Sequence, residues 1–326
     1  MNKVLVTGAT GFVGSHIAKQ LTQKGYELFC SIRKNSDTQF LKTLNTNLFE
    51  VNWNDKHQLI DIVGKVDHII HCAAITTALS ESQYLDGNVL PTVALLEAAK
   101  TKGNIKRFIF ISTQAVTGPS DGEKPLSEDS DCHPISDYAK TKLIAEHEVI
   151  KYQQDFPVTI LRPCSIYGAA STEFQPLFKL VKSHLTVVIG DGRNKVNMIS
   201  VTDFVDAVLR CLEVDHPTGS VYFVTDGQEY DWNTIFRTAK EVYGKWTLRL
   251  RIPFFIASFI GWINDNIAKI TKKPPLLNSQ KVQEMKCRYL LCDSTKIQRE
   301  LKFHTFRTLR EGFQEALKWY QKSNWL

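Results

Sequence analysis

Residues 4–14 read Val4-Leu5-Val6-Thr7-Gly8-Ala9-Thr10-Gly11-Phe12-Val13-Gly14, and this stretch decides the fold. The apolar start predicts a strand, and apolar residues at Val13, Ile17 and Leu21 predict a helix after the glycines. Glycine permits a tight turn and lets backbone N–H groups approach a pyrophosphate, which a helix N-terminus also favours. A purely structural turn is the alternative. The strand and helix on either side favour dinucleotide binding, with contacts expected from Gly8, Thr10, Gly11, Phe12, Val13 and Gly14.

Short apolar runs alternate with helical patterns along the first half of the chain. Strands are predicted at residues 4–7, 27–32, 48–51, 68–71, 108–112 and 158–161. This alternation predicts βαβ units, and continuous apolar runs predict strands that helices cover on both faces. The predicted class is α/β, a Rossmann-type doubly wound parallel sheet.

The regular alternation weakens after Tyr167, although one more strand is predicted at 221–224. Helix starts are predicted at Asp203, Asp231, Pro253, Asn278 and Ser294. We expect a dinucleotide-binding domain over 1–167, with strand and helix contributions from about 187–225. Residues 168–326 are expected to form a smaller, mostly helical lobe that binds the substrate.

The composition is that of an ordinary soluble globular protein, with 43% hydrophobic and 23% charged residues among 326. The net charge of +6 suits a phosphorylated ligand as well as nucleic acid or an anionic surface, so charge alone does not decide the ligand. The sequence has no basic motif that would support nucleic-acid binding. Seven cysteines lack the spacing of a metal site, so we expect no metal, reduced thiols and a cytoplasmic location. No amino-terminal signal sequence is recognised.

The most apolar stretch is 252–263, which is shorter than the roughly 20 residues that a membrane-spanning helix needs. No transmembrane segment is therefore predicted. The aromatic residues Phe254, Phe255, Phe259 and Trp262 have three interpretations: ordinary core, the wall of a hydrophobic substrate pocket, or an amphipathic surface patch. Aromatic stripes most often belong to a core, so burial is the favoured interpretation.

The sequence after the second strand bears on the choice of dinucleotide. An acidic residue at this place would bind the adenosine ribose of NAD, but the chain has Arg33 and Lys34 and no carboxylate before Asp37. A guanidinium matches a 2′-phosphate bidentately, so Arg33, with Lys34 as a second contact, favours NADP over NAD. The alternative is that Arg33 lies on a solvated loop.

Tyr138 and Lys142 stand four residues apart and therefore share one face of a predicted helix. A phenol has an unperturbed pKa of about 10, and a nearby cation is expected to lower that pKa and allow proton exchange with an alcohol. Upstream, Ser112 and Thr113 end a predicted strand at the sheet edge where ligands bind in this architecture. Thr113 can orient a substrate oxygen; alternatively, both hydroxyls only cap the strand end.

These features together resemble the extended short-chain dehydrogenases/reductases, also described as NAD-dependent epimerase/dehydratase-like proteins. The resemblance covers essentially the whole chain. Its further marks are His71-Cys72-Ala73-Ala74, Asn88 before Leu95-Leu96-Glu97-Ala98-Ala99, Leu161-Arg162-Pro163, Tyr167-Gly168 and Val201-Thr202-Asp203. The late chain is loosely similar to dihydroflavonol reductases and 3β-hydroxysteroid dehydrogenases.

The resemblance implies Tyr138 as the acid/base and a cofactor contact, Lys142 as its pKa tuner and ribose ligand, and Thr113 as the partner of the substrate oxygen. It also implies that Ala73 and Ala74 line the cofactor cleft. The remaining implied cofactor-side positions are Asn88, whose helix supports the active site, Pro163, which begins a segment passing the nicotinamide, and Asn52, where the family usually has an aspartate near the adenine.

The resemblance implies a nicotinamide-dependent enzyme that moves hydride between the cofactor and a ketone/secondary alcohol pair. A nucleotide-sugar epimerase with bound NAD is the alternative, although Val196 stands where epimerases often have a diphosphate-binding arginine. A dehydratase is disfavoured because Gln114 and Ala115 replace the usual acidic pair. A non-catalytic dinucleotide sensor is a further alternative. The partner is expected to be a small-molecule substrate, and a homodimer is plausible.

Overall fold

The structure is a computed structural model that describes residues 2–275 and 277–326, so Met1 and Leu276 lie outside the described residues. The strands are β1 (Lys3–Thr7), β2 (Glu27–Ile32), β3 (Asn47–Glu50), β4 (His68–His71), β5 (Arg107–Ile111), β6 (Val158–Pro163), β7 (Ser165–Tyr167), β8 (Leu185–Ile189), β9 (Lys195–Val196), β10 (Met198–Ser200), β11 (Ser220–Val224), β12 (Tyr230–Asp231), β13 (Leu248–Ile252) and β14 (Tyr289–Leu290).

The α-helices are α1 (Phe12–Gln23), α2 (Gln39–Lys42), α3 (Lys56–Val63), α4 (Glu81–Tyr84), α5 (Leu90–Lys102), α6 (Asp137–Lys151), α7 (Gln175–Lys182), α8 (Val201–Glu213), α9 (Trp232–Tyr243), α10 (Phe254–Thr271), α11 (Ser279–Lys286), α12 (Thr295–Leu301) and α13 (Leu309–Lys322). A π-helix covers Leu85–Val89, and a 3-10 helix covers Gln114–Thr117.

The centre of the fold is a seven-stranded parallel sheet with the order β11-β6-β5-β4-β1-β2-β3. It contains all the strands predicted from apolar runs, with bounds that differ by at most two residues. Val6 of β1 lies opposite Cys30 of β2 and Ile70 of β4, so neighbouring strands end at one common edge. The predicted Rossmann-type doubly wound α/β class is confirmed.

Helices cover both faces of this sheet, which explains the continuous apolar strands. Val4 and Val6 point to a core built with α1 and α8, whereas Leu5 points to the opposite core, built with α3, α5 and α6. Because α8 and β11 follow Tyr167 in the sequence, residues beyond Tyr167 also contribute to the domain that contains the seven-stranded sheet. The domain boundary near residue 167 stays a prediction.

A smaller, mostly helical lobe packs α7, α9 and α13 around a third core that includes Phe178, Ile235 and Phe313. Asp231 and Asn278 cap α9 and α11, as predicted, by accepting hydrogen bonds from backbone N–H groups. Ser294 precedes α12 without such a bond, and Pro253 lies just before α10 instead of inside its first turn.

The favoured interpretation of residues 252–263 as core was wrong for three of its aromatic residues. Phe255, Phe259 and Trp262 are 74%, 60% and 59% exposed, because α10 turns its small residues inward. No helix in the described part of the chain combines the length and hydrophobicity that crossing a bilayer requires.

Candidate functional site

The turn between β1 and α1 can be built only with glycine at two positions. Gly8 has a φ of +71°, and a Cβ there would lie 2.8 Å from the Ala73 backbone. A Cβ on Gly14 would overlap the carbonyl of Gly8. The N–H of Gly11 closes the turn by donating to the Gly8 carbonyl at 2.9 Å. The glycines thus bring α1 and the segment after β4 against the end of β1.

The start of α1 is available for an anion. Gly11 occupies its N-cap and supplies no side-chain acceptor, whereas Ser136 and Ser200 cap α6 and α8. The first N–H groups of a helix have no partner within the helix, and its dipole adds positive potential there. The turn at the predicted residues Gly8 to Gly14 is called the glycine cradle below. It fits the pyrophosphate of a dinucleotide.

Arg33 and Lys34 follow β2, which is the neighbour of β1 in the sheet. Both are exposed, and neither forms an ion pair with any residue that the structure describes. The backbone of Arg33 is held in a turn, since its N–H donates to the Ser36 hydroxyl at 3.0 Å. Two cations thus stand free at the predicted ribose side of the cleft. Asn52 lies farther along this edge, where its side-chain oxygen accepts from the N–H of Asn54 at 3.1 Å.

Lys142 is anchored at the end of β5. Its Nζ donates to the Ile111 carbonyl at 2.7 Å and lies 3.9 Å from the centre of the Phe110 ring. The side chain is 1% exposed. Burial lowers the pKa of Lys142 to about 8, while Cys72 and Glu146 act in the opposite direction. The ammonium therefore exchanges its proton more readily than that of a solvated lysine.

Tyr138 lies in the first turn of α6, four residues before Lys142, and its ring centre is 6.3 Å from that of Tyr84. Burial, and after it the charge of Glu173, raises the pKa of Tyr138 above that of an ordinary phenol. The sequence predicted a lowered pKa. The difference arises because the Lys142 ammonium is directed to a backbone carbonyl and desolvation dominates at the phenol.

Thr113 lies two residues beyond the carbonyl that holds Lys142. Its Oγ1 accepts from the N–H of Ala115 at 3.2 Å and starts the 3-10 helix. The hydroxyl proton remains available for a substrate oxygen. Thr113 and Lys142 thus meet at the carboxyl end of β5, and Tyr138 lies one helical turn away.

Asn88 is 1% exposed and joins two parts of the site. Its Oδ1 accepts from the N–H of Ile75 at 2.8 Å, and its Nδ2 donates to the Ile75 carbonyl and to Thr141 Oγ1, both at 3.2 Å. These bonds connect the segment containing Ala73 and Ala74 to α6, beside Lys142. The geometry gives Asn88 a positioning role.

Sequence reasoning missed a buried hydrogen-bond chain through His71. Ala73 N–H donates to Thr7 Oγ1 at 3.1 Å, which lies 2.7 Å from His71 Nδ1. His71 Nε2 lies 2.9 Å from Thr92 Oγ1, and Thr92 donates to the Asn88 carbonyl at 2.7 Å. This order of donors assigns the proton of a neutral imidazole to Nε2. The signal that the sequence offered for this chain was a histidine at the end of an apolar strand.

We expect the His71 chain to make folding sensitive to mild acid. Burial lowers the pKa of His71 to about 3, so below about pH 6.5 the unfolded chain binds a proton that the folded chain does not. Stability is therefore lost as the pH falls from about 6.5 towards 3. His71 alone should lower the free energy of unfolding by about 2 kcal/mol between pH 6.5 and 5.

Urea unfolding at pH 7 and pH 5 tests this expectation. His71→Asn should shrink the pH-dependent loss by about 2 kcal/mol. His57→Asn, at an exposed histidine, is the matched control and should leave the loss unchanged. Equal losses in the wild type and the His71 variant would assign the acid sensitivity to other groups.

A buried ion pair holds the other side of α6. Arg162 Nη2 lies 2.7 Å from Glu146 Oε2, and both side chains are almost fully buried. Arg162 precedes Pro163, the last residue of β6, so the pair connects the Lys142 helix to the strand that ends at the predicted nicotinamide segment. Sequence reasoning noted Arg162 only within a family mark and missed Glu146.

Comparison with known proteins adds a family match. The NAD-dependent epimerase/dehydratase family matches residues 4–224, which include the glycine turn, Thr113, Tyr138 and Lys142. UDP-glucose 4-epimerase of Vibrio cholerae is 26% identical over 98% of this chain and 96% of its own length. Ceramide reductase of Caulobacter vibrioides is 26% identical over 99% of this chain and 96% of its own length.

Among solved structures, UDP-glucose 4-epimerase from Thermotoga maritima, determined with UDP-glucose, superposes with a TM-score of 0.82. The alignment covers 99% of each chain at 22% identity. This likeness supports the fold over the full length, including the helical lobe.

Proposed function

The chain belongs to the NAD-dependent epimerase/dehydratase family, and from that membership we propose that it is an NADP-dependent reductase or dehydrogenase of a ketone/secondary alcohol pair. The observation that carries this proposal is the convergence of Thr113, Tyr138 and Lys142 at the sheet edge that also holds the glycine cradle. A hydrogen-bond donor, a proton donor and a proton-exchanging amine stand at the place where a dinucleotide's reactive end arrives in this architecture.

The nicotinamide, when bound, supplies the hydride to the carbonyl carbon or accepts it from the alcohol. Thr113 donates a hydrogen bond to the substrate oxygen, and Tyr138 gives that oxygen its proton during reduction. The raised pKa of Tyr138 keeps the phenol protonated at neutral pH, which suits the reductive direction. Lys142, with a pKa of about 8, returns a proton to the phenolate after each turnover and is itself protonated again by water, so that each reduction consumes one proton from solvent.

Three features weigh against nucleotide-sugar chemistry. Val196 is 9% exposed and packs in the apolar core of the helical lobe, where a diphosphate ligand would need a cation. Arg193 stands three residues before that place in the sequence, and Arg288 Nη1 is paired with Asp191 Oδ2 at 3.1 Å. Gln114, which replaces one acid of the dehydratases, is 7% exposed and neutral.

Steady-state assays distinguish the two chemistries. The purified chain is mixed with NADPH and a panel of ketones, and the loss of absorbance by the reduced cofactor is followed. Net oxidation of NADPH supports the proposal. Cofactor that co-purifies, with conversion of UDP-glucose into its 4-epimer and no net oxidation, would instead make the chain an epimerase.

Cofactor choice is expected to depend on Arg33. Arg33→Ala should raise the Kd for NADPH by about 10- to 100-fold, since a hydrogen bond to a charged group contributes about 1.5–3 kcal/mol. The Kd for NADH should stay within about twofold because NADH lacks the 2′-phosphate. Fluorescence titration measures both constants. Arg193→Ala, at another exposed arginine, is the control; an equal loss of NADH and NADPH binding in Arg33→Ala would contradict NADP selection.

We also propose that the chain forms a homodimer through α5 and α6. Leu90 of α5 and Ile144 of α6 are 57% and 39% exposed, although both are apolar. Their burial against a second copy would be favourable. The molar mass from light scattering tests the assembly.

A further inference from the structure

Helix α10 carries its large apolar side chains on the outside. Its buried residues are small, namely Ala257, Gly261 and Ala268. The most exposed side chains are Phe255 at 74%, Phe259 at 60%, Trp262 at 59%, Ile267 at 50% and Ile270 at 83%. A helix that contributes to a core normally has the opposite arrangement. The exposed aromatic and aliphatic residues of α10 are called the outer face below.

The inward face of α10 is fixed by close contacts. A Cβ on Gly261 would lie 3.1 Å from the backbone of Asn278, so the helix approaches that segment closely. Asn264 Nδ2 donates to the Leu277 carbonyl at 2.9 Å, and Asp265 accepts from the N–H of Ser279 at 3.1 Å. Rotating α10 to bury the outer face would break these bonds, so the outer face is free for another surface.

The chain around the outer face is strongly basic. Residues 245–275 contain six cations, at Lys245, Arg249, Arg251, Lys269, Lys272 and Lys273, and one carboxylate, at Asp265. Asp265 accepts from the N–H of Ser279, and Arg249 donates to the side chain of Asn233. Arg249, Arg251 and the three late lysines are all exposed. Strand β13, which leads into α10, adds exposed Leu248 and Leu250.

We propose that the outer face of α10 lies on a lipid bilayer that contains anionic lipid. Aromatic and aliphatic side chains on one side of a helix enter the headgroup boundary, and neighbouring lysines and arginines attract anionic lipids. An exposed apolar patch of this kind marks an interaction surface. A second copy of the chain fits less well, because it would bring two clusters of surplus positive charge into one interface.

Vesicle co-sedimentation tests the proposal, with vesicles of phosphatidylcholine alone and of phosphatidylcholine mixed with phosphatidylglycerol. The double variant Phe259→Ser/Trp262→Ser should lower the bound fraction on the mixed vesicles by about tenfold or more. Salt at about 1 M should weaken the binding, because the Debye length is then about 3 Å. Phe306→Ser, at an aromatic residue that is 65% exposed outside α10, is the matched control and should bind like the wild type.

Light scattering without vesicles distinguishes a lipid surface from a second copy of the chain as the partner of the outer face. Binding to mixed vesicles that the double variant loses, at an unchanged molar mass, supports the lipid surface. No binding of the wild type to either vesicle overturns the proposal. If the molar mass also falls in the double variant, the outer face binds a second copy of the chain instead. Circular dichroism and the urea unfolding midpoint confirm that the double variant is folded.

Discussion

Tyr138→Phe is expected to lower kcat for ketone reduction by about 100- to 10,000-fold, the range that a positioned general acid contributes. The change removes one hydroxyl and leaves the ring, which packs 6.3 Å from that of Tyr84, in place. NADPH affinity should change little, because the glycine cradle and Arg33 lie on other elements. Single-turnover kinetics with saturating NADPH measures the chemical step directly.

Tyr84→Phe is the matched control for this experiment, since it deletes the same atom from the neighbouring ring. The Tyr84 hydroxyl donates to the Thr76 carbonyl at a long 3.4 Å, so its loss should alter kcat by less than about threefold. If Tyr138→Phe retained wild-type kcat, the proton would have to come from another group. The proposed role of Tyr138 would then be wrong.

The main sheet could be predicted because its signals are local. Each strand is a short apolar run between helical patterns, and the turn at Gly8 and Gly14 needs residues without a Cβ. The positions of Tyr138 and Lys142 on one helix face also follow from spacing alone. Their confirmed setting, a parallel sheet with its strand ends at one edge, follows from the βαβ rule.

The hydrogen-bond network around the site could not be predicted in the same way. Thr7, His71 and Thr92 are distant in sequence and meet only when β1, β4 and α5 pack. The pKa of Tyr138 likewise depends on burial, which spacing does not reveal. For α10, hydrophobicity predicted burial, but the small residues Ala257 and Gly261 determine which side faces inward.

Glu146→Gln is expected to lower the free energy of unfolding by about 3–5 kcal/mol, because it leaves the guanidinium of Arg162 buried without a counter-charge. Arg162 is 5% exposed, and its Nη1 is already without a partner among the described residues. Glu146 also opposes the lowering of the Lys142 pKa, so the variant should lower that pKa further. Urea unfolding followed by circular dichroism measures the loss.

Glu213→Gln is the matched control, because it breaks an ion pair of the same length that is exposed instead of buried. The carboxylate of Glu213 lies 2.7 Å from Lys24 Nζ, the same separation as in the Arg162–Glu146 pair, but its side chain is 37% exposed. Water can solvate the lysine that remains, so this change should cost no more than about 1 kcal/mol. The double variant Glu146→Leu/Arg162→Met, which removes both buried charges, should recover much of the loss. Equal losses for Glu146→Gln and Glu213→Gln would mean that water reaches Arg162, and α6 would then be held against β6 by apolar packing alone.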